Sequence, residues 1–144
     1  MFPINGEKLE QLIPQKKPFV LISSLSSVTD KTCTTTFSFD ADHVLCEDGK
    51  LSMAGLLENM AQTSGCKLGY EDYLNGKPPR IGFIGEIRDF VYTRLPIIGE
   101  ELTTEITIEN QVFGTVTVVS GRIMNAGNEI ASCRMKVFFE PEPE

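Results

Sequence analysis

The sequence predicts an α+β domain in which a curved antiparallel sheet of five to six strands wraps one long central helix. Apolar residues at three- and four-residue steps from about Leu51 to Leu74 indicate the helix. Other segments alternate apolar and polar side chains, which is typical of strands buried on one face. Because short turns join these strands, neighbouring strands are expected to be antiparallel. A mostly apolar helix must be covered, so the sheet should wrap it.

Length and composition are those of an ordinary globular protein, with 144 residues, 41% hydrophobic and 23% charged. We therefore expect a single domain over residues 1–144, with a frayed acidic tail at 140–144. The net charge of −7 disfavours nucleic acid as a partner. No apolar run reaches the roughly 20 residues that cross a bilayer, and no secretory leader is visible, so a cytoplasmic location without membrane contact is predicted. The four cysteines form no C-x-x-C pair and are expected to be reduced.

Local patterns place the elements before the central helix. Residues 5–14 are predicted to form a short helix with one apolar face, which Pro14 ends. Residues 19–40 are predicted to form a hairpin, because the second half alternates with a period of two. The buried face of that strand would be Cys33, Thr35, Phe37 and Phe39. Segment 40–50 has no period and contains Asp-Gly, so a loop leading into the helix is predicted there.

The central helix is expected to end at Asn75–Gly76, and strands are expected in residues 80–139. Short turns are predicted at Phe113–Gly114 and at the sequence NAGN. The alternation slips between Val118 and Val119, which predicts a bulge or a bend in that strand. The buried faces of the second and last of these strands would be Leu102, Thr104, Ile106 and Ile108, and Ala131, Cys133, Met135 and Val137.

Glu58 is the only charged residue between Leu51 and Cys66. Packing that buries this helix would desolvate the carboxyl group and favour its protonated form, which suits a general acid acting on a leaving hydroxyl. The helix face that carries Glu58 has polar side chains in its middle and small residues at its ends, so a narrow substrate chain could approach it. That face consists of Ala54, Glu58, Gln62 and Gly65. The alternatives are a solvent-facing side chain or a structural acid with satisfied hydrogen bonds.

A matching base is needed, and His43 is the only histidine in the chain. It lies in the loop before the helix. A lone histidine is more often a surface residue, and nearby acids would favour the imidazolium, which cannot act as a base. Those acids are Asp40, Asp42, Glu47 and Asp48. Metal ligation by His43, Cys46, Glu47 and Asp48 would crowd every ligand into one loop, so no metal site is predicted.

Three segments resemble hotdog-fold β-hydroxyacyl-(acyl carrier protein) dehydratases, and together they span most of the chain. LLENMAQTSG at 56–65 resembles the family's helix, in which a catalytic Glu precedes a Met-Ala-Gln run. LIPQKKPFVLISSL at 12–25 is similar to the family's opening, and RDFVYTRLPIIGEEL at 88–102 is similar to a later segment. The loop DHVLCEDGKLS lacks the family's usual prolines and better resembles a divergent branch associated with aryl-polyene pathways.

The resemblance implies a hotdog fold and the dehydration of a 3-hydroxyacyl thioester to a trans-2-enoyl thioester, in fatty acid or polyene biosynthesis. It implies that His43 removes the α-proton and that Glu58 protonates the departing hydroxyl. The thioester carbonyl would be polarised by the backbone N–H of Met53 or Ala54 at the start of the helix, and Gln62 is a further candidate substrate-binding residue. No cofactor and no metal are implied.

The resemblance also implies partners. In the family each active site takes the histidine from one chain and the acid from the other, so we expect at least a homodimer, or a heterodimer with another hotdog dehydratase. The acyl carrier protein is acidic and would need a basic entrance, for which the candidates are Lys77, Arg80, Arg88 and Arg94. Two alternatives stay open. One is an acyl thioesterase, which does not require His43, and the other is a non-catalytic hotdog partner subunit.

Overall fold

The structure, a computed structural model, describes residues 1–112 and 115–141, and in this part of the chain it contains two helices and nine strands. In chain order they are β1 (Ile4–Asn5), α1 (Gly6–Glu10), β2 (Ser24–Val28), β3 (Thr32–Phe37), β4 (Cys46–Glu47), β5 (Lys50–Leu51), α2 (Met53–Leu74), β6 (Gly82–Tyr92), β7 (Leu102–Val112), β8 (Val116–Asn125) and β9 (Asn128–Phe139). The predicted turn at Phe113–Gly114 and the last three residues of the predicted tail lie outside the described residues.

The central helix α2 begins and ends at residues that suit helix termini. Ser52 is the N-cap, and its hydroxyl accepts a hydrogen bond from the N–H of Gly55 at 3.2 Å. Beyond the C-terminus, Gly76 has a φ of 71°, a left-handed conformation that glycine adopts without strain. The predicted helix is confirmed except for its first two residues, because Leu51 belongs to β5.

The seven-stranded sheet has the order β1-β2-β3-β7-β8-β9-β6, and every pairing is antiparallel. Its inner face packs against α2 through β3, β7, β8 and β9. A second apolar cluster packs around Cys66 of α2 and is built from β1, α1, the segment that follows α1, β2 and β3. The predicted sheet wrapped around a helix is therefore confirmed, with the two-residue β1 as an additional strand.

The alternation predicted for the strands is confirmed, but the predicted bulge in β8 is wrong. Val119 pairs with Ile108 and Val118 pairs with Asn110, so the extra residue is Glu109, in β7. β8 keeps a regular alternation of buried and less buried side chains. The sequence pattern looked shifted because Val118 is an apolar residue on the less buried face.

The predicted loop at 40–50 contains a small hairpin instead. β4 and β5 are joined by Asp48 and Gly49, whose φ angles of 51° and 78° are those of a tight two-residue turn. The carbonyl of Gly49 accepts from the N–H of Ile98 at 3.1 Å. The loop before α2 is therefore anchored to the segment that precedes β7.

The segment after α1 crosses α2 in direct contact with the helix backbone. A Cβ atom at Gly69 would lie 1.6 Å from the carbonyl oxygen of Leu12, so the crossing requires glycine at this position. The contact fixes where residues 12–22 run along the helix.

β6 is an edge strand with exposed apolar side chains. Phe83 is 63% exposed and Val91 is 62% exposed. The first residue of the predicted tail, Glu140, donates its N–H to the carbonyl of Ile81 at 3.1 Å, and its carboxylate accepts from the N–H of Ile81 at 3.0 Å. None of the helices in the described residues has the length and apolar character needed to cross a membrane.

Candidate active site

Two buried polar side chains of α2 hold the main chain around Leu21 against the helix. The Oε1 of Gln62 accepts from the N–H of Leu21 at 2.8 Å, and its Nε2 donates to the carbonyl of Phe19 at 2.9 Å. The Nδ2 of Asn59 donates to the carbonyl of Leu21 at 2.7 Å, while its Oδ1 accepts from the hydroxyl of Thr104 at 2.5 Å. These hydrogen bonds satisfy both amides and make this side of the helix rigid.

Glu58 lies one helical turn before Gln62 and is half-buried. Its Oε1 accepts a hydrogen bond from the Nε2 of Gln62 at 3.3 Å. Because Gln62 is itself fixed by the main chain, it orients the Glu58 carboxyl group. The sequence suggested full desolvation of this group, but it is only half-buried because it lines a pocket.

The pocket beside Glu58 has a volume of about 300 Å³ and extends along α2. A Cβ atom at Gly82 would lie 2.7 Å from the ring of Phe139, so glycine lets this ring pack closely against β6. The walls are mainly apolar, with polar groups from Gln15, Glu58 and Arg80. The lining residues are Pro14, Gln15, Glu58, Ala61, Gly65, Arg80, Gly82, Phe83, Ile84, Val137 and Phe139.

His43 is held in the loop before α2 by hydrogen bonds at both ring nitrogens. Its Nδ1 accepts from the N–H of Leu45 at 3.1 Å, so Nε2 carries the proton and donates to the carbonyl of Val20 at 2.9 Å. The ring packs edge-on against Phe37 with a centroid distance of 5.6 Å. Both ring nitrogens are therefore engaged by main-chain groups, and neither is free.

The start of α2 carries the two candidate oxyanion donors. Met53 and Ala54 are exposed and occupy the first two helical positions, whose N–H groups have no acceptor within the helix. The next N–H, of Gly55, is bound by Ser52. Unpaired N–H groups at a helix N-terminus favour negative charge on a ligand oxygen.

Comparison with known proteins identifies the family. The model of the ApeP-like family, described as ApeP dehydratase, matches residues 7–144. The chain belongs to this family. The predicted resemblance and the predicted reaction class, dehydration, are thereby confirmed for this ApeP-like protein.

Solved structures show the fold of the ApeP-like protein. The dehydratase heterocomplex ApeI:P from Xenorhabdus doucetiae superposes with a TM-score of 0.84, at 19% identity over 93% of this chain and 91% of that chain. A hypothetical thioesterase protein with coenzyme A from Streptococcus pneumoniae TIGR4 gives a TM-score of 0.64, at 16% identity over 83% and 87% of the two chains. These likenesses confirm the hotdog fold. A sequence comparison with curated proteins finds no match.

The structure of the ApeP-like chain brings together only some of the predicted site residues. Glu58 and Gln62 are hydrogen-bonded. His43 lines a separate groove, and the pocket beside Glu58 does not include it. Met53 and Ala54 lie at the start of the helix and are also not part of that pocket. In a single chain, the predicted base and acid thus belong to different cavities.

Among the predicted entrance cations, the three arginines are paired with carboxylates. The pairs are Arg80–Asp72 at 2.9 Å, Arg88–Glu86 at 2.6 Å and Arg94–Glu100 at 2.7 Å. The hydrogen bonds from Arg88 and Lys136 lower the pKa of Glu86, and the hydrogen bond from Arg94 lowers that of Glu100. Much of the positive charge that would attract an acidic protein is therefore compensated locally.

The sequence did not identify Asn59 and Gln15 as site residues. Asn59 directly follows Glu58. A second polar residue at this place in an apolar helix was a signal that could have identified it. Gln15 carried no such signal, since it lies in a polar loop. Within the described ranges, no group of three or more His, Cys, Asp or Glu residues is placed to hold a metal ion.

Replacing Asn59 by Ala is expected to lower the free energy of unfolding by about 2–4 kcal/mol, because the Leu21 carbonyl and the Thr104 hydroxyl both lose their partner. Urea unfolding followed by circular dichroism measures this loss. Asn110→Ala, at an exposed position of β7, is the control and should hardly change the urea concentration at the midpoint of unfolding. Equal midpoints for the two variants would contradict the role given to Asn59.

Proposed function

We propose that this chain is a subunit of a dehydratase that eliminates water from a 3-hydroxyacyl thioester carried by an acyl carrier protein. The product is the trans-2-enoyl thioester, used in fatty acid or polyene biosynthesis. The observation that carries the proposal is the placement of Glu58. In a member of a dehydratase family, this carboxyl group lines a mainly apolar pocket and is oriented by Gln62.

In the proposed reaction a base removes the α-proton of the thioester, and negative charge develops on the carbonyl oxygen. The N–H groups of Met53 and Ala54 would stabilise this charge. The electron pair then forms the α,β double bond as the bond to the β-hydroxyl breaks. Glu58 gives its proton to the leaving oxygen, which departs as water, and the proton taken by the base restores the acid through solvent.

We assign the base to a second subunit, because His43 and Glu58 of one chain line different cavities. The exposed apolar edge strand β6 supports pairing with another hotdog chain, since such edges are normally covered. In a homodimer the second copy would supply its own His43. In a heterodimer of this chain with another hotdog subunit, the other subunit would supply the histidine; the similarity to a chain of the dehydratase heterocomplex ApeI:P supports this alternative.

Replacing His43 by Ala is expected to lower turnover roughly 100- to 10,000-fold if His43 is the base. For this role one ring nitrogen must be released from the main chain when the substrate or the partner binds. The measurement is kcat, compared with the thermal midpoint of the same variant. Turnover that survives the substitution would contradict His43 as the base.

A non-catalytic partner subunit is the second candidate, because both nitrogens of His43 are occupied by main-chain groups. One assay separates the possibilities. The chain, alone and with a hotdog partner, is incubated with 3-hydroxyacyl thioesters while enoyl product and free thiol are followed together. Enoyl formation that depends on Glu58 supports the proposal. Free thiol alone indicates a thioesterase, and activity that is indifferent to Glu58 indicates a non-catalytic subunit.

A further inference from the structure

Phe139 separates the pocket beside Glu58 from a second, smaller cavity. This second cavity, which we call the distal cavity, has a volume of about 30 Å³. It is lined by residues of α2 between Ser64 and Glu71 and by the inner faces of β7 and β8. Phe139 is 8% exposed and lines both cavities. A buried side chain that lines two cavities is the wall between them.

The helix α2 orders the two cavities. On this helix the pocket beside Glu58 ends at Gly65, whereas the distal cavity extends from Ser64 to Glu71. The distal cavity therefore lies further towards the C-terminus of the helix. The ring of Phe139 is at the junction, because a Cβ atom at Gly65 would lie 3.9 Å from it. A chain that follows the helix from Glu58 meets this ring after about 10 Å, the rise of seven helical residues.

The ring of Phe139 is held against β6. Phe139 is the partner of Gly82 in the pairing of β6 with β9, and a Cβ atom at Gly82 would lie 2.7 Å from Cε1 and 2.9 Å from Cδ1 of the ring. The N–H of Phe139 donates to the carbonyl of Thr115 at 2.8 Å. The ring thus packs against the main chain of β6 on one side and faces Gly65 on the other, which makes it a fixed wall.

The direction of the substrate follows from the proposed function, on which this inference rests. The thioester carbonyl would lie at the start of α2 and the β-carbon at Glu58, so the acyl tail would continue past Ala61 towards Gly65. The walls on this path are mainly apolar, as an acyl tail requires. The end of the tail would therefore point at the ring of Phe139.

We propose that Phe139 ends the acyl pocket and thereby sets the longest acyl chain that this protein binds. An extended chain advances about 1.2 Å per bond, so about 10 Å accommodates roughly eight carbons beyond the β-carbon. The substrate class is therefore medium-chain 3-hydroxyacyl groups, with up to roughly eleven carbons in the acyl chain. A longer tail would have to displace the ring.

The distal cavity would receive a longer tail if the side chain at this wall were smaller. Leu68 and Val119 give it apolar walls beyond the ring. Lys67 and Glu71 also line it, but they form an ion pair, so their charges compensate each other. Shortening Phe139 would therefore join the two cavities into one longer channel.

The test measures how affinity depends on tail length, using stable pantetheine amides with octanoyl, decanoyl and hexadecanoyl tails. Binding to the purified chain, with its partner subunit where assembly requires one, is measured by calorimetry. We expect the hexadecanoyl probe to bind at least about tenfold more weakly than the decanoyl probe, because its last carbons meet the ring.

Phe139→Ala should increase the affinity for the hexadecanoyl probe at least about tenfold, since burial of two further methylene groups suffices for such a gain. Phe139→Ala also removes much of a core side chain and can lower stability. Phe139→Val suits a strand and leaves a smaller cavity, so it tests the same point at less cost in stability. Its expected gain is at least about threefold.

Phe138→Ala is the matched control, because Phe138 is 40% exposed and lines neither cavity. It should leave the dependence on tail length unchanged. Equal affinities of the decanoyl and hexadecanoyl probes for the original protein would overturn the inference. So would an unchanged dependence in Phe139→Val, an equal gain in Phe138→Ala, or a failure of all probes to bind.

The readout does not depend on turnover, so the two proposals fail separately. Enoyl formation with a length limit that is indifferent to Phe139 refutes only the role of Phe139. A length limit that depends on Phe139, without enoyl formation, refutes only the dehydration reaction.

Discussion

Replacing Glu58 by Gln is expected to lower enoyl formation roughly 100- to 10,000-fold, because an amide cannot donate the proton that the leaving hydroxyl requires. The fold should be unaffected. The carbonyl oxygen of the new side chain still accepts from the Nε2 of Gln62, as the carboxylate does. We therefore expect a large decrease in kcat with an unchanged thermal midpoint. Steady-state kinetics with a 3-hydroxyacyl thioester, together with a melting curve, measure both quantities.

Glu101→Gln is the matched control for this experiment. Glu101 is exposed and does not line the pocket, so its replacement should leave kcat within about twofold of the original. Normal turnover in Glu58→Gln would remove Glu58 from the chemistry. A loss of turnover accompanied by a lower thermal midpoint would instead assign Glu58 a structural role.

Gly69→Ala is expected to have the largest effect on stability. The added methyl group would lie 1.6 Å from the carbonyl oxygen of Leu12 and 2.7 Å from its carbonyl carbon, so the backbone of one element must move. Overpacking against rigid backbone costs about 3 kcal/mol or more. For a chain of this length, that corresponds to a decrease of roughly 10 °C in the thermal midpoint, measured by circular dichroism.

Gly65→Ala, one turn earlier on the same helix, is the matched control. A Cβ atom at Gly65 would lie 3.9 Å from the ring of Phe139, an ordinary contact distance. Alanine also favours the helix by up to about 1 kcal/mol over glycine. The thermal midpoint of Gly65→Ala should therefore equal or exceed that of the unsubstituted protein. Equal thermal midpoints for the two variants would contradict the close contact between Gly69 and the carbonyl group of Leu12.

The regular elements of this fold could be predicted because their signals are local. Each of these elements buries the side chains of one face, so its own residues repeat with the period of a strand or of a helix. β7 and β9 show the strand period, and α2 shows the helix period. The bulge could not be assigned correctly, because Glu109 becomes an extra residue only through the register between β7 and β8. The hairpin at Asp48 and Gly49 was not predicted, because the Asp-Gly pair was interpreted only as the sign of a loop.

The sequence by itself determined the helix, the alternating strands and the unusual acid Glu58, since periodic burial and an isolated charge can be seen within one segment. Only the tertiary structure decided that Gln62 orients this acid, that His43 lies in a different groove and that Gln15 lines the pocket. These arrangements depend on hydrogen bonds between residues about forty positions apart, such as those of Gln62 with Phe19 and Leu21. No local spacing specifies such contacts, because they form only when the helix and the N-terminal segment pack together.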